Sequence, residues 1–129
     1  MEPDKLKANK RVLEQNLPQN AFLFKDDLLL VAAKTNSGKI YTVWIELCDN
    51  PKAGVTKVLK DKKGKNLDCC SGAMHTLSSR HGGTTICYGE WSPMTSLYKI
   101  YIKCRLWLEM YELHLETGYF IDHYLKHVG

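Results

Sequence analysis

The stretch Ile86-Cys87-Tyr88-Gly89-Glu90-Trp91-Ser92-Pro93 decides how the chain divides, because a regular apolar pattern begins directly after it. Ser92 is a good N-cap, Pro93 suits the first helical position, and Gly118 can end a helix. Between them, apolar residues recur at steps of three and four, as on one buried helix face: Leu97, Tyr101, Cys104, Leu108, Tyr111 and Leu115. The sequence therefore predicts a cysteine a few residues before a helix of about 25 residues.

The residues before this stretch predict a helix followed by strands. Apolar positions at helical spacing predict a first helix near residues 4–16, which Leu17-Pro18 ends. Short runs between turn residues predict extended segments at 21–24, 28–33, 40–47 and 55–60. The third run alternates, so that Tyr41, Val43, Ile45 and Leu47 share an apolar face while Trp44 lies on the other face and needs cover.

Residues 66–85 carry no periodic pattern and are rich in Gly, Ser, Cys and His. A stretch of about 20 such residues is long for a simple connection in a small domain and is more often functional. The chain then resumes order in the helix, and the tail Tyr119–Gly129 has enough apolar residues to fold back onto the domain.

Length and composition limit the classes of protein that this chain can be. With 129 residues, 44% of them hydrophobic and 25% charged, residues 1–129 suit a single globular domain. The first residues lack a signal-peptide core, and no uncharged apolar run is long enough to cross a membrane, so we expect a cytoplasmic protein. A net charge of +4 comes largely from lysine clusters without interleaved aromatic residues, which argues against nucleic-acid binding.

Five cysteines, an odd number without the spacing of a disulfide framework, indicate reduced thiols. Cys104 lies in the helical stripe and Cys48 at a strand end, and both are expected in the core. Cys87 lies outside any periodic face and beside Gly89, so it is the candidate nucleophile. A thiol attacks as the thiolate, of which an ordinary cysteine has a few per cent near pH 7.

Cys87 followed by Trp91-Ser92-Pro93 and a long helix resembles the active-site region of ubiquitin-conjugating enzymes. The likeness extends through Trp107-Leu108 and Thr117-Gly118, and it is similar in particular to the stand-alone bacterial relatives of antiphage operons that use cyclic-oligonucleotide signalling. The order of predicted elements also matches. The resemblance implies an α+β ubiquitin-conjugating-like fold with an N-terminal helix, an antiparallel β-meander, a cysteine-bearing loop and a long C-terminal helix.

The same resemblance implies a chemistry and a set of partners. Cys87 would carry a ubiquitin-like modifier or protein C-terminus as a thioester and pass it to an amine, with His81 as the second catalytic residue and no cofactor or metal. Gly83, Trp91 and Pro93 would position the site. The partners would be the activated modifier and a separate activating enzyme or nucleotidyltransferase. The chain lacks the His-Pro-Asn triplet of eukaryotic members, having Arg80-His81-Gly82-Gly83 instead, so the oxyanion donor is unassigned.

Two other interpretations stay open at this point. A catalytically inactive module could retain the fold in order to bind a modifier or partner. A small zinc domain could instead use the sulfur and imidazole groups of the irregular loop, namely Cys69, Cys70, His75, His81 and Cys87, although these lack a Cys-x-x-Cys pair.

Overall fold

The computed structural model describes the backbone of residues 1–128 and the side chains of residues 1–125. The chain forms an N-terminal helix, a six-stranded antiparallel sheet and a long helix, which confirms the predicted α+β class. The elements in chain order are α1 (Pro3–Asn16), β1 (Phe22–Lys25), β2 (Leu28–Lys34), β3 (Ile40–Glu46), β4 (Ala53–Val55), β5 (Thr76–Leu77), β6 (Thr84–Ile86), α2 (Leu97–Thr117) and α3 (Ile121–Val128). A single 3-10 turn, Gln19–Ala21, precedes β1.

The sheet is a meander that is extended at one end by a short hairpin. Its spatial order is β1-β2-β3-β4-β6-β5, and each neighbouring pair is antiparallel. The irregular stretch 66–85 therefore contains β5 and the start of β6. The sequence pattern did not predict these strands because each is only two or three residues long. This hairpin places the residue after β6, Cys87, inside the hydrogen-bonded sheet.

The core lies between one face of the sheet and helix α2. Val43, Ile45 and Ile86 come from the sheet, and the predicted helical stripe supplies Leu97, Tyr101, Cys104, Leu108 and Tyr111, all buried. The prediction that Cys104 is a core residue is confirmed. Fully burying each aliphatic side chain of this size contributes about 1.5–3 kcal/mol. The indole of Trp107 also joins α2 to the turn before β5, since its Nε1 donates to the carbonyl of Met74 at 2.8 Å.

The predicted start of the long helix is wrong by four residues. Helix α2 begins at Leu97, and Ser96 caps it by accepting a hydrogen bond on Oγ from the amide of Lys99 at 3.1 Å. Ser92 instead closes a separate turn, in which the amide of Thr95 donates to its carbonyl at 2.9 Å. Pro93 lies in that turn and is exposed. The C-terminal end was predicted correctly, since Gly118 caps α2 with a left-handed φ of 82°.

Three other expectations are corrected. The fourth strand is Ala53–Val55 rather than 55–60, because the amide of Leu59 bonds to the side-chain oxygen of Thr84 at 2.8 Å rather than to a ladder partner. Cys48 is exposed, since β3 ends at Glu46 and the chain turns away there. In the tail, Ile121 is buried as expected but Tyr119 and Phe120 are exposed, and Gly129 lies outside the described residues.

No helix among the described residues is long and apolar enough to span a membrane.

Candidate functional site

Cys87 directly follows β6, the strand that lies between β4 and β5 in the sheet. Its amide donates to the carbonyl of His75 at 2.8 Å, which continues the β5–β6 pairing by one residue. Ile86 is buried against the helix layer. Because successive strand residues face opposite sides, the next side chain, that of Cys87, is directed to the face away from α2. The cysteine is half-buried rather than part of the core.

The backbone after Cys87 leaves a run of unused donors. Among the described residues, no hydrogen bond within the protein uses the amides of Tyr88, Gly89 or Glu90. The Tyr88 hydroxyl donates to the carbonyl of Pro51, which anchors this segment, and burial of the ring together with nearby thiols raises the pKa of Tyr88 to about 12. Gly89 has a φ of 104°, which favours glycine. Free amides beside a nucleophile are the kind of donor that stabilises an oxyanion.

His81 lies in the turn before β6 and is held by two neighbours. Its Nε2 is 2.9 Å from Oε2 of Glu46, and its ring meets the buried Trp44 ring at 4.5 Å between centroids. His81 thereby supplies part of the cover that Trp44 requires on its face of the sheet. Within the described residues, the His81 ring contacts Glu46 and Trp44, and it makes no hydrogen bond to Cys87.

Glu46 connects this turn to β3. Its Oε2 accepts from Arg80 Nε at 2.9 Å as well as from His81, and the amide of Lys52 donates to Oε1 at 3.2 Å. Partial burial alone would raise the pKa of Glu46, but these hydrogen bonds, with His81 and Arg80 first among them, bring it below its usual value. The carboxylate is therefore ionised at neutral pH, and it fixes the turn that carries His81.

The three other predicted site residues lie in different surroundings. A Cβ at Gly83 would overlap the carbonyl of Val55, so only glycine fits where this turn crosses β4. Trp91 is half-buried and packs beside α1, with Lys5 Nζ 5.4 Å from the ring centroid. Pro93 is exposed in the turn closed by Ser92 and Thr95, away from the first turn of α2.

His75, which the sequence analysis names only as a possible zinc ligand, is a neighbour of Cys87 in the fold. It pairs with Cys87 across the β5–β6 hairpin, and its Nε2 lies 3.0 Å from Oδ1 of Asp122 at the start of α3. The contact between His75 and Cys87 is through the backbone, whereas the His75 ring is held by Asp122 of α3. The ring is not hydrogen-bonded to the Cys87 sulfur among the described residues. Asp122 is 47 positions from His75, so only the fold reveals the pair.

The cysteines and histidines that could have bound zinc do not come together at one point. Cys69 and Cys70 are exposed, and Cys70 Sγ lies 3.5 Å from the Ser78 hydroxyl. His75 and His81 are bound by different carboxylates, as described above. Within the described residues, no three His, Cys, Asp or Glu side chains are grouped as a metal site would require. The zinc interpretation therefore has no ligand cluster to support it.

Comparison of the chain with protein-family models, with curated proteins and with solved structures found no match.

Proposed function

We propose that the protein is a cysteine-dependent acyl transferase of the ubiquitin-conjugating type, carrying a modifier or protein C-terminus on Cys87. The observation that carries the proposal is the placement of Cys87, a half-buried thiol at the end of a sheet strand, followed by unused backbone amides. The α+β order of helix, antiparallel sheet and long helix agrees with the same class. Because the sequence resembles the bacterial relatives of antiphage operons, antiviral defence is part of the proposal.

The reaction has two steps. The Cys87 thiolate attacks the carbonyl carbon of an activated thioester, and the tetrahedral intermediate expels the thiolate of the activating protein. An amine, usually of a lysine, then attacks the new thioester, loses a proton to a base and expels the Cys87 thiolate. In both steps the oxyanion needs donors, and each well-placed backbone amide is worth roughly 3 kcal/mol in the transition state. The amides of Tyr88 and Gly89 are the candidates.

The first step can be tested without knowing the natural modifier. The probe is a synthetic peptide ending in Gly-Gly and activated as an aryl thioester. Because Cys48, Cys69 and Cys70 are exposed and can also react, the assay uses a variant in which these three are serine. We expect a peptide adduct on Cys87 that dithiothreitol removes, and transfer of the peptide to added lysine faster than hydrolysis.

The matched control adds Cys87→Ala to the same background. We expect loss of the adduct while the melting temperature stays within a few degrees, because the side chain lies outside the core. An adduct that persists without Cys87, or a Cys87 that reacts no faster than a cysteine in an unfolded peptide, would contradict the proposal. A fold that collapses in the variant would show that Cys87 is a structural residue.

A second candidate, a binding module of the same fold, is favoured by one observation. His81, the predicted catalytic partner, is engaged with Glu46 and Trp44. For a binding module, the thioester assay should give no adduct on Cys87 while the folded protein still binds a modifier or its activating partner. For an enzyme, co-expression with a separate activating protein or nucleotidyltransferase should yield lysine-linked conjugates that disappear in Cys87→Ala.

A further inference from the structure

Lys52 lies directly across from Cys87, one residue beyond the last partners of β4 and β6. Those last partners are Ala53 and Ile86. Lys52 precedes Ala53 and Cys87 follows Ile86, and in an antiparallel pair one step back on one strand is opposite one step forward on the other. The register therefore makes a lysine and the candidate nucleophile the next opposite pair, although they are 35 positions apart in the sequence.

The backbone groups of these two residues bond to the strands on their outer sides. The amide of Cys87 donates to the carbonyl of His75 at 2.8 Å. On the other side, the carbonyl of Lys52 accepts from the amide of Glu46 at 3.0 Å, and the Lys52 amide donates to the Glu46 carboxylate at 3.2 Å. Lys52 and Cys87 therefore face each other as a non-hydrogen-bonded pair, the closer of the two antiparallel types, with about 4.5 Å between Cα atoms.

The side chains of the pair share the sheet face away from α2. Ala53 and Ile86 are buried in the core, and successive strand residues alternate, so the residues next to them project to the opposite face. Lys52 is half-buried, and within the described residues no hydrogen bond or ion pair engages its amino group. Opposite side chains have Cβ atoms about 4.5–5.5 Å apart, a gap that a lysine side chain can span.

From this thiol–amine pair we infer that Lys52 is an acylation site, which receives acyl groups from thioesters formed on Cys87. In the first step, the Cys87 thiolate attacks the carbonyl carbon of an acyl thioester and expels the thiolate of that compound. In the second step, the neutral amine of Lys52 attacks the new thioester, and the C–N bond forms as the C–S bond to Cys87 breaks. The amine proton passes to solvent, which leaves an amide on Lys52 and a free Cys87 thiolate.

The fold favours Lys52 over other lysines as the acceptor. An amine held beside the thioester reacts within one molecule and avoids the entropic cost of bringing two molecules together. The two segments are also tied together one residue further along, where the Tyr88 hydroxyl donates to the carbonyl of Pro51. The transfer needs neither a modifier nor an activating protein, so it can be tested separately from the proposed function.

Acetylation by S-phenyl thioacetate tests the inference, in the variant whose three exposed cysteines are serine. We expect peptide mass mapping to find an acetyl group on Lys52 that dithiothreitol does not remove. It should form at least about tenfold faster than on Lys57, an exposed lysine beyond the other end of β4. Adding Cys87→Ala should abolish this advantage and leave Lys57 unchanged. Adding Lys52→Arg should instead leave the acetyl group on Cys87, as a thioester that dithiothreitol removes.

Three results would overturn the inference: equal acetylation of Lys52 with and without Cys87, no preference for Lys52 over Lys57, or a rate per molecule that rises with protein concentration. The last result would mean transfer between molecules. If the acetyl group reaches Lys52 but the Gly-Gly peptide is not passed to added lysine, only the proposed function fails. If the peptide is passed to added lysine but Lys52 is not acetylated, only the present inference fails.

Discussion

Gly83 shows how one atom decides the position of the turn that carries His81. A Cβ there would overlap the backbone carbonyl of Val55, which cannot rotate away as a side chain could. We expect Gly83→Ala to lower the free energy of unfolding by about 3 kcal/mol, measured by urea denaturation. Gly72→Ala is the matched control, since that position has open space around it, and a similar loss in both variants would contradict the explanation.

The carboxylate of Glu46 makes folding stability depend on pH. Its pKa in the folded protein is below the usual value, so the unfolded chain binds this proton more readily. The stabilisation is therefore complete above the ordinary glutamate pKa near 4.5 and is lost as the pH falls through the lower folded value. We expect Glu46→Gln to cost about 1–2 kcal/mol at pH 7. The deficit should shrink below about pH 4 in thermal melts, and a constant difference would contradict the linkage.

Two histidines compete for the role of proton acceptor in the second step of the proposed reaction. His75 lies opposite Cys87 and its ring is held by Asp122, whereas the His81 ring is occupied by Glu46 and Trp44. We therefore expect His75→Asn to slow transfer from the Cys87 thioester to lysine by about 100-fold, with thioester formation little changed. His81→Asn is the comparison. A larger loss in that variant would return the role to His81, as the sequence predicts.

At the scale of the element, the start of α2 separates two serines that look equivalent in sequence. Both precede an apolar run, but only Ser96 accepts from an amide in the first turn of the helix, that of Lys99. We expect Ser96→Ala to cost about 1 kcal/mol of stability, as loss of an N-cap usually does. Ser92→Ala should cost less in the same denaturation experiment, and the reverse order would restore the predicted helix start at Ser92.

At the scale of the whole molecule, the first residues of α3 are held by the buried side chain of Ile121 and by hydrogen bonds of Asp122. Ile121 is fully buried, the amide of Asp122 donates to Ala73 at 2.9 Å, and its carboxylate binds His75. We expect Ile121→Ala to cost about 3 kcal/mol and to increase hydrogen exchange in α3 and β5. Phe120→Ala, at the neighbouring position that is half exposed and stacks on His114, should cost less. Equal losses would show that α3 is not docked through Ile121.

The sequence by itself determined the elements whose signal is local. The stepwise apolar pattern of α2, the alternation in β3 and the left-handed glycine at 118 each act within a few residues, and all three are confirmed. It also predicted that Cys87 lies outside the core, because that residue belongs to no periodic apolar face.

Only the tertiary structure decided the surroundings of that cysteine. The strands β5 and β6 are too short to carry a pattern of their own. They form because β6 pairs with β4 on one side and with β5 on the other. The carboxylates that hold His75 and His81 come from residues 47 and 35 positions away in the chain. Contacts over such distances depend on how the helices and sheet pack, and a linear pattern does not contain that information.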